Sequence, residues 1–338
     1  MTILVTGGLG YIGSHTVVEL LKNNFEVVIV DDLSNSEKFI LENIEEVSGK
    51  KPIFYPFDLR RKELIHQLFD AHHIEGCINF AAYKAVGESQ EKPLDYYENN
   101  LFILINILQE FKNRNISNFI FSSSCTVYGQ ADEMPIHETT PLKMPESVYG
   151  KTKQMGEEII LDFAKAYHKK ISLLRYFNPI GAHPSGKLGE LPLGIPNNLV
   201  PFVTQTAAGI RKELSIFGND YPTLDGTAVR DYIYVVDLAK AHVAALQKLI
   251  ASTEDTVLDI YNLGTGNGSS VLEVVQAFEK ANQVAVPYKI CDRRVGDITI
   301  AYANATKAEK ELGWKADTTL EIALKTTWQW QKYLESRN

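Results

Sequence analysis

The sequence predicts an α/β fold, a doubly wound parallel sheet with a smaller mixed α/β substrate domain. Three observations predict it. Over the first 175 residues, short β-branched runs alternate with helical patterns, as βαβ units require. A glycine-rich turn, Thr6-Gly7-Gly8-Leu9-Gly10-Tyr11-Ile12-Gly13, joins the first run to the first helical pattern. After Phe177 the alternation gives way to a stretch rich in proline and glycine.

The expected strands of the first part cover 3–6, 26–30, 53–55, 77–80, 119–122 and 171–174. They are mostly continuous Val/Ile/Leu/Phe runs, which suit a parallel sheet covered on both faces. Helices over 11–22, 61–71, 97–112 and 148–167 carry the 3.6-residue period between them, and the crossovers are expected to be right-handed. Residues 178–196 read as loop. Beyond them we expect helices near 199–208, 236–249, 271–281 and 320–334, and strands near 215–217, 260–262 and 287–290. Residues 1–176 thus form a dinucleotide-binding domain, to which segments near 230–265 return. Residues 177–338 mainly form the second part.

The bulk properties narrow the function. A net charge of −8 argues against nucleic acid, whose phosphates call for a basic face. Cys77, Cys125 and Cys291 are widely spaced and odd in number, and the eight histidines show no ligand spacing, so neither a disulfide framework nor a metal site is expected. The chain runs from Met1 straight into a strand without a basic leader, and no apolar run reaches the roughly 18 residues of a membrane span. A cytoplasmic protein that avoids membranes is the expectation.

The glycine turn carries chemistry because of where it stands. Gly8, Gly10 and Gly13 fit one dinucleotide pattern, and Gly7, Gly10 and Gly13 fit another. Either lets the backbone approach a pyrophosphate at a helix N-terminus, as in the Rossmann arrangement. Asp31 closes the second strand, where a carboxylate accepts from ribose hydroxyls and repels the extra phosphate of NADP. The cofactor is therefore read as NAD.

Tyr149 and Lys153 stand four apart and share a helical face. A nearby ammonium together with a positive nicotinamide ring favours phenolate, so we expect a lowered Tyr149 pKa. The run Ser122-Ser123-Ser124-Cys125-Thr126 follows the fifth strand, at the carboxyl end of the sheet. Ser124 lies deepest into that loop and is the candidate partner of the phenol. Cys125 reads as packing.

Together these features resemble the extended short-chain dehydrogenase/reductase family. Lys84-Ala-Val-Gly-Glu-Ser, Arg175-Tyr-Phe-Asn-Pro-Ile-Gly-Ala-His-Pro, Gly194-Ile-Pro-Asn-Asn-Leu, Phe217-Gly-Asn-Asp-Tyr-Pro and Val229-Arg-Asp-Tyr-Ile narrow the resemblance to its UDP-glucose 4-epimerase branch. The likeness runs from Thr2 to about Trp330.

The resemblance implies NAD contacts at Tyr11 and Ile12, and along Asp31, Asp32, Leu33, Ser34, Asn35 and Ser36. It adds Asp58 and Leu59, then Phe80, Ala81, Ala82, Tyr83 and Lys84. Asn99, opening a helix, Ser124, Tyr149, Lys153 and Phe177 complete the set. For a UDP-sugar substrate it implies Ser124, Tyr149, Asn178, Asn198, Leu199, Ser215, Ile216, Phe217, Arg230, Arg294 to Asp297, and Ala301. The forked donors of Arg230 and Arg294 suit a diphosphate. Tyr149, helped by Ser124, would take the proton of the sugar 4-hydroxyl during a redox-neutral epimerisation through a 4-keto sugar. Ala301 falls where relatives confined to glucose and galactose can carry tyrosine, so room for a 2-acetamido group is implied, and with it UDP-GlcNAc and UDP-GalNAc. A homodimer through helices 97–112 and 148–167 is also implied.

Rival readings are a sugar-nucleotide 4,6-dehydratase, a UDP-glucuronate enzyme and an NAD-binding regulator. The dehydratases carry an Asp-Glu pair after the serine or threonine, where this chain has Cys125-Thr126.

Overall fold

The computed structural model describes residues 1–294 and 297–337. In chain order the first part holds β1 (Thr2–Thr6), α1 (Tyr11–Lys22), β2 (Glu26–Val30), α2 (Phe39–Ser48), β3 (Ile53–Tyr55), α3 (Lys62–Ala71) and β4 (Ile74–Asn79). It continues through α4 (Val86–Glu91), α5 (Pro93–Asn113), β5 (Asn118–Ser124), α6 (Val148–Tyr167) and β6 (Lys170–Tyr176). Then come β7 (Asn178–Ile180), α7 (Leu199–Ala207), β8 (Leu214–Phe217), β9 (Val229–Arg230), β10 (Tyr232–Tyr234), α8 (Val235–Ala251) and β11 (Val257–Leu263). The last elements are β12 (Ser269–Ser270), α9 (Val271–Asn282), β13 (Tyr288–Cys291), β14 (Ile300–Ala301), α10 (Thr306–Leu312) and α11 (Leu320–Arg337).

Seven parallel strands form the main sheet in the order β3-β2-β1-β4-β5-β6-β11. The order reverses between β1 and β4, the switch point at which such sheets bind ligands. Alternate side chains feed two cores. Ile3, Val5, Ile29 and Ile78 pack beneath α1 and α8, while Leu4, Val28, Phe121 and Leu173 pack beneath α3, α5 and α6. Burial on both faces explains the near-continuous apolar strands. A third core, including Val203, Ile216, Val274, Phe278 and Leu324, holds α7, α9 and α11 around the short strands of the second part.

The differences from the sequence reading have physical causes. Residues 178–180, read as loop, form β7 because they pair in parallel with β10, a partner more than fifty residues away. Helix α5 starts at Pro93, whose fixed φ suits a first helical position. Asn99 therefore lies inside the helix rather than opening it. Helix α2 was not expected. Its buried Ile40 and Ile44 stand one turn apart among acidic residues that mask the period. No helix among the described residues is long and apolar enough to cross a membrane.

Candidate active site

The first half of the site is built at the switch point. The Gly10 backbone begins α1 without a side-chain cap, leaving the N–H groups of Tyr11, Ile12 and Gly13 without intrahelical acceptors. Gly13 tolerates no side chain, because a Cβ there would stand 2.2 Å from the Gly7 carbonyl oxygen. The turn is tied to its surroundings by Asp31. This carboxylate accepts from the Leu9 N–H at 3.0 Å, the Leu33 N–H at 3.0 Å and the Ser36 hydroxyl at 2.7 Å. Burial still raises its pKa, against the pull of those hydrogen bonds. Asp32 instead accepts from Ser34 at the surface.

The neighbouring strand end brings in Phe80 to Lys84. Ala81 N–H donates to the Thr6 hydroxyl, and Tyr83 N–H donates to Asn100. Asn100 also bonds Asn99 and the Thr152 hydroxyl, so it joins this loop to α5 and α6. Asp58 is held by Arg60 at 2.7 Å, beside Leu59. Phe177 follows β6 and donates its N–H to the Leu263 carbonyl.

Ser124 ends β5, and Tyr149 and Lys153 occupy successive turns of α6. The Ser124 hydroxyl accepts from the Thr126 N–H at 3.3 Å and stands near enough to the Tyr149 phenol to pull its pKa down. Lys153 donates to the Ser122 carbonyl at 2.6 Å, and its ammonium lies 5.9 Å from the Tyr149 ring centre. Tyr149 keeps some solvent contact as a residue, but its phenol is packed round by protein. That burial pushes the phenol up to about 12, opposed by the nearby Ser124 hydroxyl. Burial also brings Lys153 down to about 8, opposed by the Glu157 carboxylate. In the protein alone desolvation is the larger influence on Tyr149; the lowering expected for it depends on the positive nicotinamide ring of the bound cofactor together with Lys153.

The remaining candidates line the second part. Arg230 on β9 pairs with Asp297 at 3.2 Å, and the register of β9 with β14 sets Ala301 beside Arg230. The Arg294 guanidinium lies 3.8 Å from the ring centre of Phe217, which ends β8 after Ser215 and Ile216. Val295 and Gly296 lie outside the described residues. Asn198 caps α7 before Leu199 and donates to Glu190 at 2.6 Å, and the same carboxylate oxygen accepts from Lys84 at 3.1 Å. Asn178 donates its N–H to the Asp231 carbonyl, next to Arg230. Ala301 is buried against Val127, Tyr128, Phe177 and Ala303.

A family model described as GDP-mannose 4,6 dehydratase matches residues 4–327. The UDP-glucose 4-epimerase of Bacillus subtilis is 52% identical over 335 residues, covering 98% of this chain and 97% of that protein. The chain belongs to the UDP-glucose 4-epimerase family. Two solved structures agree. The enzyme of Bifidobacterium longum, in complex with NAD+ and UDP, superposes with a TM-score of 0.95 at 48% identity and 98% coverage of both chains. That of Stenotrophomonas maltophila, with NAD and formylated UDP-arabinopyranose, gives 0.96 at 45% identity and full coverage of both.

Four residues at this epimerase-family site escaped the sequence reading: Asn100, Glu157, Glu190 and Asp231. Asp231 is wholly buried and accepts from Thr265, Gly266 and Ala303, tying the strand of Arg230 to the segment of Ala301. Each has at least one partner distant in sequence: Thr152 for Asn100, Ser123 for Glu157, Lys84 for Glu190 and Ala303 for Asp231. A polar residue four positions past Lys153 was the one local signal, for Glu157. Among the described residues, no group of three His, Cys, Asp or Glu side chains is placed to hold a metal ion.

Proposed function

We propose that this protein interconverts UDP-glucose and UDP-galactose through a 4-keto sugar, with NAD kept on the protein. The observation that carries the reading is Ser124, Tyr149 and Lys153 converging at the carboxyl end of β5, with only β4 between that strand and β1, which leads into the glycine turn. The turn fits a dinucleotide. A Cβ on Gly10 would meet only the Gly7 carbonyl, at 3.2 Å, so open space lies before the uncapped start of α1. Tyr11, Ile12 and Gly13 would hold the pyrophosphate there, and Asp31 the adenosine ribose. NAD, when bound, supplies a reversible hydride acceptor and a fixed positive ring charge.

The chain's own residues handle the proton. Tyr149 takes it from the sugar 4-hydroxyl onto its phenol oxygen and later gives it back, while Ser124 steadies the same sugar oxygen. Lys153 stabilises the phenolate by charge. Arg230, Arg294, Asn198 and Phe217 hold the UDP half, leaving the sugar free to present either face. This supports residues 1–176, with α8 and β11, as the cofactor part, and the rest mainly as the UDP-sugar part. A dehydratase is disfavoured by Cys125-Thr126, which offer no acid–base pair for elimination.

Incubation with UDP-galactose and no added cofactor should yield UDP-glucose by proton NMR. No change, even with NAD supplied, would overturn the reading. The small Ala301 supports turnover of UDP-GlcNAc and UDP-GalNAc as well. Ala301→Tyr should abolish conversion of UDP-GalNAc while sparing UDP-galactose, and full activity on both would refute this part. Helices α5 and α6 pack together yet leave Leu94, Phe102 and Met155 exposed, which supports a homodimer through them. Sedimentation of the purified protein at twice the chain mass is expected.

A further inference from the structure

Glu157 lies on the Tyr149 and Lys153 face of α6, one turn beyond the lysine, and is 1% exposed. An ionised carboxylate so deep in a protein needs partners. It has three bonds. One oxygen accepts from the Ser123 hydroxyl at 2.5 Å and from Arg175 Nε at 2.9 Å, and the other accepts from Arg175 Nη2 at 2.5 Å. The strand register explains the geometry: Ser123 on β5 pairs with Arg175 on β6, so one carboxylate above the pair reaches both. Arg175 also donates to the Tyr128 hydroxyl at 3.0 Å, which in turn donates to Asn262 at 2.7 Å. Ser122 and Ser124 flank Ser123. The first offers its carbonyl to Lys153, and the second stands beside the Tyr149 phenol.

Resting on the epimerase reading above, we propose that Glu157 is a positioning residue for the reaction. Clamped by Arg175, it fixes the strand end bearing Ser122 and Ser124 and sets a negative charge against Lys153. The titratable groups near the Tyr149–Lys153 pair are Glu157 on the same helix with its partner Arg175 on β6, and, coupled to the Tyr149 phenol, Tyr176 on β6, Cys125 beyond β5 and Tyr96 on α5. Burial drives the lysine toward the neutral form, and among these groups Glu157 is the carboxylate that opposes it. Without that charge the lysine gives up its proton at lower pH and no longer supports the phenolate.

The test is Glu157→Gln, which keeps the shape and removes the charge, with Glu157→Asp as the conservative control. The Lys153 titration is followed in the holoprotein by the ¹³Cε shift of labelled lysine, assigned through Lys153→Arg. Its midpoint should fall by about one pH unit in Glu157→Gln, within the usual effect of a close opposite charge, and stay near wild type in Glu157→Asp. The alkaline limb of kcat should move by the same amount with KM for the UDP-sugar unchanged. An unmoved midpoint, or a uniform fall in kcat with an unmoved limb, would overturn the proposal. If Glu157→Gln strands the Arg175 charge and does not fold, the Glu157→Gln/Arg175→Met protein removes the pair together; its Lys153 midpoint should fall by less than in the single variant, and an unmoved midpoint there would still overturn the proposal. Failure of the wild type to turn over any UDP-hexose would sink the epimerase reading alone, because the lysine titration needs no turnover.

Discussion

Replacing Tyr149 by phenylalanine keeps the ring in its cleft and removes the hydroxyl beside Ser124. General acid–base groups contribute about 10²–10⁴ in rate, so kcat for UDP-galactose should fall by that range. UDP affinity, measured by calorimetry, should hold, since Arg230, Arg294, Asn198 and Phe217, the candidates for the UDP half, are untouched. Arg230→Ala makes the opposite split. It removes a charged donor set and leaves Asp297 without its partner, so KM for the UDP-sugar should rise roughly tenfold to a hundredfold at near-constant kcat. A Tyr149→Phe protein with wild-type kcat, or an Arg230→Ala protein with wild-type KM, would remove that residue from its role. At this scale the sequence was informative wherever function depends on local spacing. Tyr149 and Lys153 are four apart and the helix does the rest. Glu157 looked like any acid on an amphipathic helix, because Ser123 and Arg175 reach it from two strands.

At the scale of elements, the start of α1 is the most constrained backbone in the site. Gly13→Ala drives a methyl into the Gly7 carbonyl and close to the Gly8 Cα, so the turn must open. Overpacking of this kind costs about 1–3 kcal/mol. The expected outcome is a lower melting temperature and a preparation with little co-purifying NAD, assayed in the denatured supernatant. Gly87 in α4 is the contrast. It is exposed, and a Cβ there meets nothing within 4 Å. Gly87→Ala should leave NAD content unchanged and stabilise by up to about 1 kcal/mol, the helix-propensity difference. Equal loss of NAD in both variants would mean that the turn is not what holds the cofactor. The glycine turn could be read from sequence because strand, glycines and helix are contiguous. The two-residue strands β9, β12 and β14 could not, since pairing between distant segments creates them.

Across the whole molecule, the parallel sheet could be read because each strand carries its own apolar run. The packing of α1 against α8 could not, because it joins residues more than two hundred positions apart. Each of these helices buries a histidine. His15 and His242 both bond the carbonyl one turn back through Nδ1, and among the described residues the Nε2 of His242 has no hydrogen-bond partner. His242 packs against Phe80 and Tyr176, directly behind the site. Burial lowers each from 6.5 to about 4. Between those values the unfolded chain binds protons that the folded chain refuses, so stability rises with pH there and is lost as pH falls from 6.5 toward 4. The full effect is on the order of 3 kcal/mol per histidine. Asp31 and Asp231 have raised pKa values from burial and pull the other way at lower pH. Urea unfolding near pH 5 should therefore show stability climbing with pH. His242→Phe, which keeps a ring against Phe80, should reduce that slope by about 1.4 kcal/mol per pH unit, the contribution of one proton. An unchanged slope would mean that His242 is protonated in the folded protein and that a water or shifted side chain serves its Nε2. Acid would then spare the helix pair, and inactivation at low pH would have to be traced to the carboxylates instead.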